Sequence, residues 1–383
     1  MGVYLNPGAT MLRRGRASGV YVDKSPMIAH LNRVLNTERL YACVSRPRRF
    51  GKTMAANMVS AYYDRTVDGA AEFAGLAIAE DPSFEANRNR FDVLKLNIQD
   101  FLSETRDVPA LLERLQRFCC AEIAREYPDV PLFDPGDLPT VMSDVFYATG
   151  RQFVVVIDEW DCVMRETPSD CDGQRLYHDF LRSWLKDRPC IALCYMTGIL
   201  PIKKFGTQSA LNMFDEYSMV SPMELAPSMG FTESEVAGLC ERWGRDLNEL
   251  RAWYGGYALR GAGSAFIPLS VARAVETGYL RRYWAQTETI GALGCHIGRD
   301  PNGLRDKVTR LAGGMRVPVN TETFVNDMTT FGSADDVLTL LVHLGYLAYD
   351  AERREAFVPN REIAGEYANA MRLAGWDEIA ETE

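Results

Sequence analysis

Histidine is scarce in this chain, with four among 383 residues, and the nine cysteines never fall into a repeated CxxC spacing. A zinc centre needs clustered thiolates and imidazoles, so this pattern argues against one. His178, His296 and His343 show no ligand spacing and read as structural. Cys119 and Cys120 are adjacent, Cys190 and Cys194 border an apolar run, and Cys162 and Cys171 flank a polar loop. Such scattered cysteines read as reduced, mostly buried thiols, which makes a cytoplasmic location the expectation. No apolar run approaches the ~20 residues that a bilayer-crossing helix needs, so no membrane partner is expected. Arg13, Arg14 and Arg16 lack a following apolar stretch, unlike a secretory signal. Positive charge is also in short supply. The formal net charge of −10 argues against non-specific coating of nucleic acid. Internal repeats and low-complexity segments are missing as well. What is there is ordinary globular composition, 47% hydrophobic and 25% charged, over a length that suits two or three domains.

The chain is organised around Leu40–Tyr63, LYACVSRPRRFGKTMAANMVSAYY. Leu40–Val44 is a short apolar run that predicts a buried strand. Ser45–Gly51 is a tight basic loop. From Thr53, the residues Met54, Met58, Ala61 and Tyr62 recur at helical spacing. Strand, loop, Gly-Lys-Thr and helix follow in the order that a phosphate-binding loop (Walker A) requires. Gly51 lets backbone approach phosphate closely, Lys52 brings charge to the β- and γ-phosphates, and Thr53 offers a hydroxyl to Mg²⁺. The pattern G-x-x-x-x-G-K-[ST] lacks its first glycine here, where Arg46 stands. Pro47 is the residue placed to fix the turn instead.

A second anchor lies at Phe153–Ile157, an unbroken run of strand formers that ends in Asp158, Glu159, Trp160 and Asp161. A buried parallel strand delivers acids at its C-terminal end, where open α/β sheets bind ligands. This is the Walker B position. Asp158 is suited to Mg²⁺ and Glu159 to polarising the attacking water. Asp161 reads as a helix-capping acid. Phe91–Ile98 and Ile191–Met196 predict further strands, and Thr197, at the tip of the latter, serves equally as a γ-phosphate sensor or a strand-end cap. Helical spacing marks Met27–Leu35, Pro109–Tyr127, Leu138–Thr149 and Gln174–Leu185.

This alternation predicts an α/β fold, a P-loop NTPase parallel sheet with helices on both faces. Residues 1–20 read as an irregular lead-in, residues 21–229 as the nucleotide domain, and residues 230–383 as a mostly helical, winged-helix-like domain with a small β element. Thr232 and Glu235 form a capping box. Helices are expected at Asn248–Tyr254, Ser270–Thr277, Arg305–Leu311 and Asp336–Leu344, and a hairpin at Tyr346–Tyr349 with Glu355–Val358.

Taken together, YVDK (Tyr21–Lys24), SRPRRFGKT (Ser45–Thr53), VVVIDEWD (Val154–Asp161), MTGILPIKKFGTQSALNMF (Met196–Phe214), GFTESEV (Gly230–Val236), WYGGY (Trp253–Tyr257) and YLAYD with FVPN (Tyr346–Asn360) carry a resemblance. The chain resembles the bacterial AAA-ATPase-like proteins commonly fused to a PD-(D/E)XK-type nuclease domain. The resemblance implies nucleotide binding, with ATP rather than GTP, and makes Arg46 a family variant of the loop. Two departures stand out. The family's aspartate in WYDGY is Gly255 here, and no nuclease segment follows FVPN before Glu383, so no nuclease role is expected of these residues.

The expected site therefore comprises Pro47, Arg48, Arg49, Phe50, Gly51, Lys52, Thr53 and Asp158 for the nucleotide. Thr53 and Asp158 hold Mg²⁺, and Lys52, Glu159 and Thr197 serve turnover. Arg48 and Arg49 either contact phosphate or pair with an acid such as Asp23. Lys203 and Lys204 read as a solvated pair. The leading expectation is a Mg²⁺-dependent ATPase. Its rivals are a nucleotide-gated interaction module, acting with a protein partner or a separate nuclease through residues 230–383, and a DNA-binding winged helix. Self-association stays open, and the acidic balance disfavours nucleic acid.

Overall fold

The computed structural model describes residues 2–202, 211–284, 303–324 and 331–373. Contacts divide the chain into two compact units. One contains Met1–Val44 and Lys52–Tyr217, and the other contains Ser45–Gly51, Ser218–Asn326 and Thr330–Glu383. Lys203, Lys204 and His296 fall outside the described residues.

The first unit opens with α1 (Thr10–Arg16) and α2 (Pro26–Val34). It continues through β1 (Tyr41–Ser45), α3 (Lys52–Tyr63), β2 (Asp92–Asn97), α4 (Ile98–Thr105), α5 (Val108–Glu126) and α6 (Leu138–Thr149). Then come β3 (Phe153–Asp158), α7 (Cys162–Glu166), α8 (Cys171–Leu185), β4 (Ile191–Gly198) and β5 (Asp215–Tyr217). The sheet order is β2-β3-β4-β1-β5. The β2–β3, β3–β4 and β1–β5 pairs run parallel.

Both faces of this sheet are covered, which is why its strands read as continuous apolar runs rather than alternating ones. Val155 and Ile157 of β3 enter a core shared with α5, α6 and α8, including Leu115, Val145, Tyr177 and Trp184. Val154 and Val156 point the other way and are fully buried too, on the side where α3 packs across β2, β3 and β4. The helices begin at sequence-encoded caps. Asn97, Asp107, Asp137 and Asp170 each accept a backbone N–H from the first turn of the helix that follows.

The lead-in corrects the sequence reading. Residues 1–20 are not irregular throughout, because α1 forms within them and the preceding segment pairs with β2 through an antiparallel Leu5–Leu94 bridge. The Glu122 carboxylate accepts the N–H groups of Val3, Tyr4 and Leu5. A side chain from far along the chain thus satisfies backbone that has no periodicity of its own. In α1 only Leu12 is buried, too little to produce a helical pattern.

The second unit holds β6 (Phe231–Thr232), α9 (Glu233–Trp243), α10 (Leu247–Tyr254), β7 (Tyr257–Leu259), β8 (Gly263–Phe266) and α11 (Pro268–Thr277). It also holds α12 (Leu304–Ala312), β9 (Val317–Pro318), α13 (Ala334–Leu344), β10 (Ala348–Asp350), β11 (Glu355–Phe357) and α14 (Arg361–Leu373). Two small antiparallel sheets, β6-β8-β7 and β10-β11-β9, accompany the helices. The Thr232–Glu235 capping box is present, and a second one, Ser333–Asp336, opens α13. The change of texture in the sequence comes after residue 229, whereas contacts part the chain between Tyr217 and Ser218. The turn Met223–Ser228 packs with β6 and so joins the second unit.

WYGGY and FVPN meet through backbone. The Asn360 side-chain amide donates to the Gly255 carbonyl at 2.7 Å. Gly256 has φ +89°, and a Cβ there would stand 2.1 Å from the Pro359 carbonyl oxygen, so only glycine fits. Gly255 has ordinary extended backbone, but a Cβ would meet the Arg251 carbonyl at 2.9 Å and the Phe266 ring at 3.1 Å. The aspartate of the family pattern would therefore need a local shift.

Candidate functional site

Parallel register brings the strand tips level. Asn97 of β2 pairs with Asp158 of β3, and Asp158 pairs with Thr197 of β4. The helix that faces these tips, α3, starts at Lys52, so its first-turn N–H groups lack intrahelical partners and favour an anion. Lys52 is buried, and its ammonium lies 3.7 Å from a Glu159 carboxylate oxygen. Burial pulls the Lys52 amine below the usual lysine range, opposed by the charges of Glu159, Asp161 and Asp158. Thr53, one residue on, is exposed at the helix start and hydrogen-bonds to the Asp158 carboxylate. Burial raises the Asp158 carboxyl above the usual aspartate range, and the Thr53 hydrogen bond opposes that rise.

Glu159 leaves the strand with φ +51°, a left-handed conformation that costs a non-glycine residue about 1 kcal/mol or more. Its carboxylate is held on both sides, by Lys52 and by Arg165 of α7, whose guanidinium approaches to 2.5 Å. Arg165 also donates from Nε to Asp161 at 3.0 Å. The same Asp161 oxygen accepts the N–H groups of Ile199 at 3.1 Å and Leu200 at 2.8 Å. Asp161 stands at the N-cap position of α7, but its carboxylate is not the cap that the sequence suggests. It makes no side-chain cap bond to α7 and instead ties the acid turn to the segment after β4. Its other oxygen has no hydrogen-bond partner among the described residues.

Thr197 is fully buried, and its hydroxyl donates to the Val44 carbonyl at 2.7 Å. Its own carbonyl accepts the Trp160 N–H. The hydroxyl thus fixes the end of β1 beside the tip of β4. Gly198 allows this closeness, since a Cβ there would lie 2.5 Å from Asp161 Oδ1 and 2.7 Å from the Trp160 ring.

In Ser45–Gly51, Arg49 (φ +68°) and Gly51 (φ +82°) are both left-handed. Arg48 and Arg49 are exposed, while Arg46 and Phe50 are buried. The Phe50 ring meets Tyr257 edge-on at 5.2 Å, and Pro47 closes on Gly345. The side chains of Pro47 and Phe50 are therefore engaged with the second unit, to which this segment belongs. Asp23 is occupied by the N–H groups of Ser25 and Ala77.

Two residues near these groups escape a motif-based reading. Arg165 stands four residues after Asp161, the spacing at which an acid and a base meet on a helix. Lys95 of β2 donates to the Asn57 side chain on α3, and burial lowers its amine while the Asp158 charge raises it. Within the apolar stretch VLKL, a lone lysine was the available signal.

The ordered strand tips, a helix that starts on a lysine and a pair of tip acids define a P-loop-type α/β nucleotide-binding class. A family model described as a predicted AAA-ATPase matches residues 11–207, and the chain belongs to that AAA-ATPase-like family. A curated relative, an uncharacterised protein in the vnfD 5′ region of Azotobacter chroococcum mcd 1, is 24% identical over 283 residues. The match covers 70% of this chain, which spans about half (51%) of the relative's length. Among solved structures, the Walker-type ATPase PABY2304 of Pyrococcus abyssi is 12% identical with TM-score 0.45, covering 90% of this chain and 96% of that one. The Aeropyrum pernix ORC2 protein, in ADPNP–ADP complexes, is 12% identical with TM-score 0.38, covering 96% and 99%. At such values these structures carry no argument about function. Family membership supports nucleotide binding in general terms. Among the described residues, no helix is long and apolar enough to cross a membrane.

Proposed function

We propose that the chain binds ATP with Mg²⁺ and hydrolyses it to ADP and phosphate. The observation that carries the reading is the convergence of Lys52, Thr53, Asp158 and Glu159 at one end of a parallel sheet. Lys52 would neutralise the β- and γ-phosphates. Backbone N–H groups of Pro47–Thr53 other than the proline, and the start of α3, would complete the anion cradle, as the loop sequence supports. Arg48 and Arg49 are exposed cations of that loop.

Thr53 and Asp158 supply hard oxygen donors already joined by a hydrogen bond, a donor set that suits Mg²⁺. When bound, the ion neutralises charge across phosphate oxygens. Glu159 would accept a proton from the attacking water. Its pairing with Lys52 fits this role, because phosphates arriving at the lysine compete for the ammonium and leave the carboxylate with one cation fewer. Thr197 would act by positioning, through its grip on Val44. Positioning and charge neutralisation then account for rate enhancement, as phosphoryl transfer requires.

Phosphate release by the purified protein, with ATP and Mg²⁺, tests the reading. Turnover that disappears in Glu159→Gln while ATP binding persists is the expected result. Saturable ATP binding with negligible release by the parent protein would replace it with the nucleotide-gated module.

A further inference from the structure

We infer that Arg165 is a positioning residue for the reaction, holding Glu159 in its left-handed conformation beside Lys52 and bolting it, through Asp161, to the segment after β4. The inference rests on reading Glu159 as the group that polarises water.

Three observations carry it. First, Glu159 has no regular secondary structure to fix it. It sits one residue beyond β3, with φ +51°, and its side chain is about a quarter exposed at 23%. Backbone in that region persists when its surroundings over-determine it. Among the described residues, the Arg165 guanidinium at 2.5 Å is the tighter of the two contacts its carboxylate makes with cations.

Second, Arg165 is itself immobilised. Its side chain is 8% exposed, and Nε is spent on Asp161. Asp161 is fixed in turn by two backbone N–H groups, from Ile199 and Leu200. Gly198 leaves the space in which the strand-tip segment and Asp161 meet. A planar guanidinium that reaches Glu159 and Asp161 from different nitrogens, with Glu166 at 3.7 Å from the third, fixes direction as well as charge, which a lysine at this place would do only in part.

Third, the arrangement keeps Glu159 in place when Lys52 is drawn away. A carboxylate paired to lysine alone would lose its only cationic neighbour as phosphates arrive. With Arg165 present, the carboxylate stays oriented and close to the position that Lys52 occupies. Arg165 touches neither water nor phosphate in this scheme, so its effect belongs to turnover rather than to ATP affinity.

Two measurements on the full chain test this. In the ligand-free protein, a double-mutant cycle of Glu159→Gln and Arg165→Gln on urea midpoints should show coupling, with the double variant losing less than the summed losses. In phosphate release, Arg165→Gln should lower kcat about tenfold or more while ATP Kd stays within about threefold, and Arg165→Lys should recover part of the loss. Additive midpoints would overturn the inference, because the contact would then not hold Glu159. So would unchanged kcat in a folded Arg165→Gln protein, or a fall in kcat matched by the fall in ATP binding, which is the mark of a merely structural arginine. A parent protein that binds ATP but releases no phosphate would overturn the part in turnover together with the ATPase reading. The cycle still reports separately whether Arg165 grips Glu159.

Discussion

The ammonium of Lys52, at the start of α3, lies 3.7 Å from the carboxylate of Glu159, which follows β3. Far apart in the chain, the two occupy one end of the sheet because β1 and β3 both run toward it. The ammonium is buried, and burial disfavours its charge. A polyanion at this place would supply countercharge that the free protein draws from Glu159.

Lys52→Ala is therefore expected to weaken ATP binding on the order of 100-fold, as loss of a charge-assisted contact in a buried site implies. Glu159→Gln should behave oppositely. It removes a competitor for the lysine, so ATP should bind as tightly as to the parent or more so, while phosphate release falls about 100-fold or more. Calorimetric titration with a phosphate-release assay separates the two. Equal loss of binding in both variants would refute the assignment.

Thr53 and Asp158 form the proposed metal pair. Asp158→Asn and Thr53→Ala should each abolish the gain in ATP affinity that Mg²⁺ gives over EDTA. Because burial raises the Asp158 carboxyl, acidification should protonate it at a higher pH than an ordinary aspartate. The gain from Mg²⁺ should accordingly fade above the usual carboxylate range and return as pH rises. ATP titrations with Mg²⁺ and with EDTA across that range check both. A gain unchanged in Asp158→Asn would remove the residue from the metal site.

Much of this arrangement was legible in the sequence. Phe153–Asp158 and Ile191–Gly198 are strands because unbroken β-branched and apolar runs suit a sheet covered on both faces. The capping box at Thr232 was legible because its chemistry is local. What escaped depends on distant partners. Asp161 sits where a cap belongs, but its carboxylate is claimed by backbone beyond β4. Leu5 gains its place from Leu94 and the N–H groups beside it from Glu122. Arg165 becomes notable only when Glu159 turns left-handed toward it.

Two glycines make steric predictions with different consequences. A Cβ on Gly198 would lie 2.5 Å from Asp161 Oδ1, so Gly198→Ala should push the acid turn away and cost about 1–3 kcal/mol, as overpacking does. Turnover should fall with it. Gly256→Ala combines φ +89° with a Cβ 2.1 Å from the Pro359 carbonyl, which is backbone and cannot rotate away. It should destabilise by more than Gly198→Ala. Urea midpoints rank the two, and the reverse order would contradict the packing of WYGGY on FVPN.

His343 gives a pH prediction for the second unit. It lies in the last turn of α13, fully enclosed, with its ring stacked on Phe324 at 5.6 Å. Its Nδ1 has no hydrogen-bond partner among the described residues. Burial alone lowers the imidazole pKa from 6.5 to about 3. Between these values the unfolded chain binds a proton that the folded chain refuses, so stability rises with pH across that window and falls as pH drops below 6.5. At about 1.4 kcal/mol per pH unit, this one group should cost about 2 kcal/mol on going from pH 7 to pH 5. His343→Phe removes the titration while keeping an aromatic ring beside Phe324. Its urea midpoint should consequently fall less than the parent's over the same pH interval. Parallel pH profiles for the two proteins would mean that the imidazole takes up its proton in the folded state.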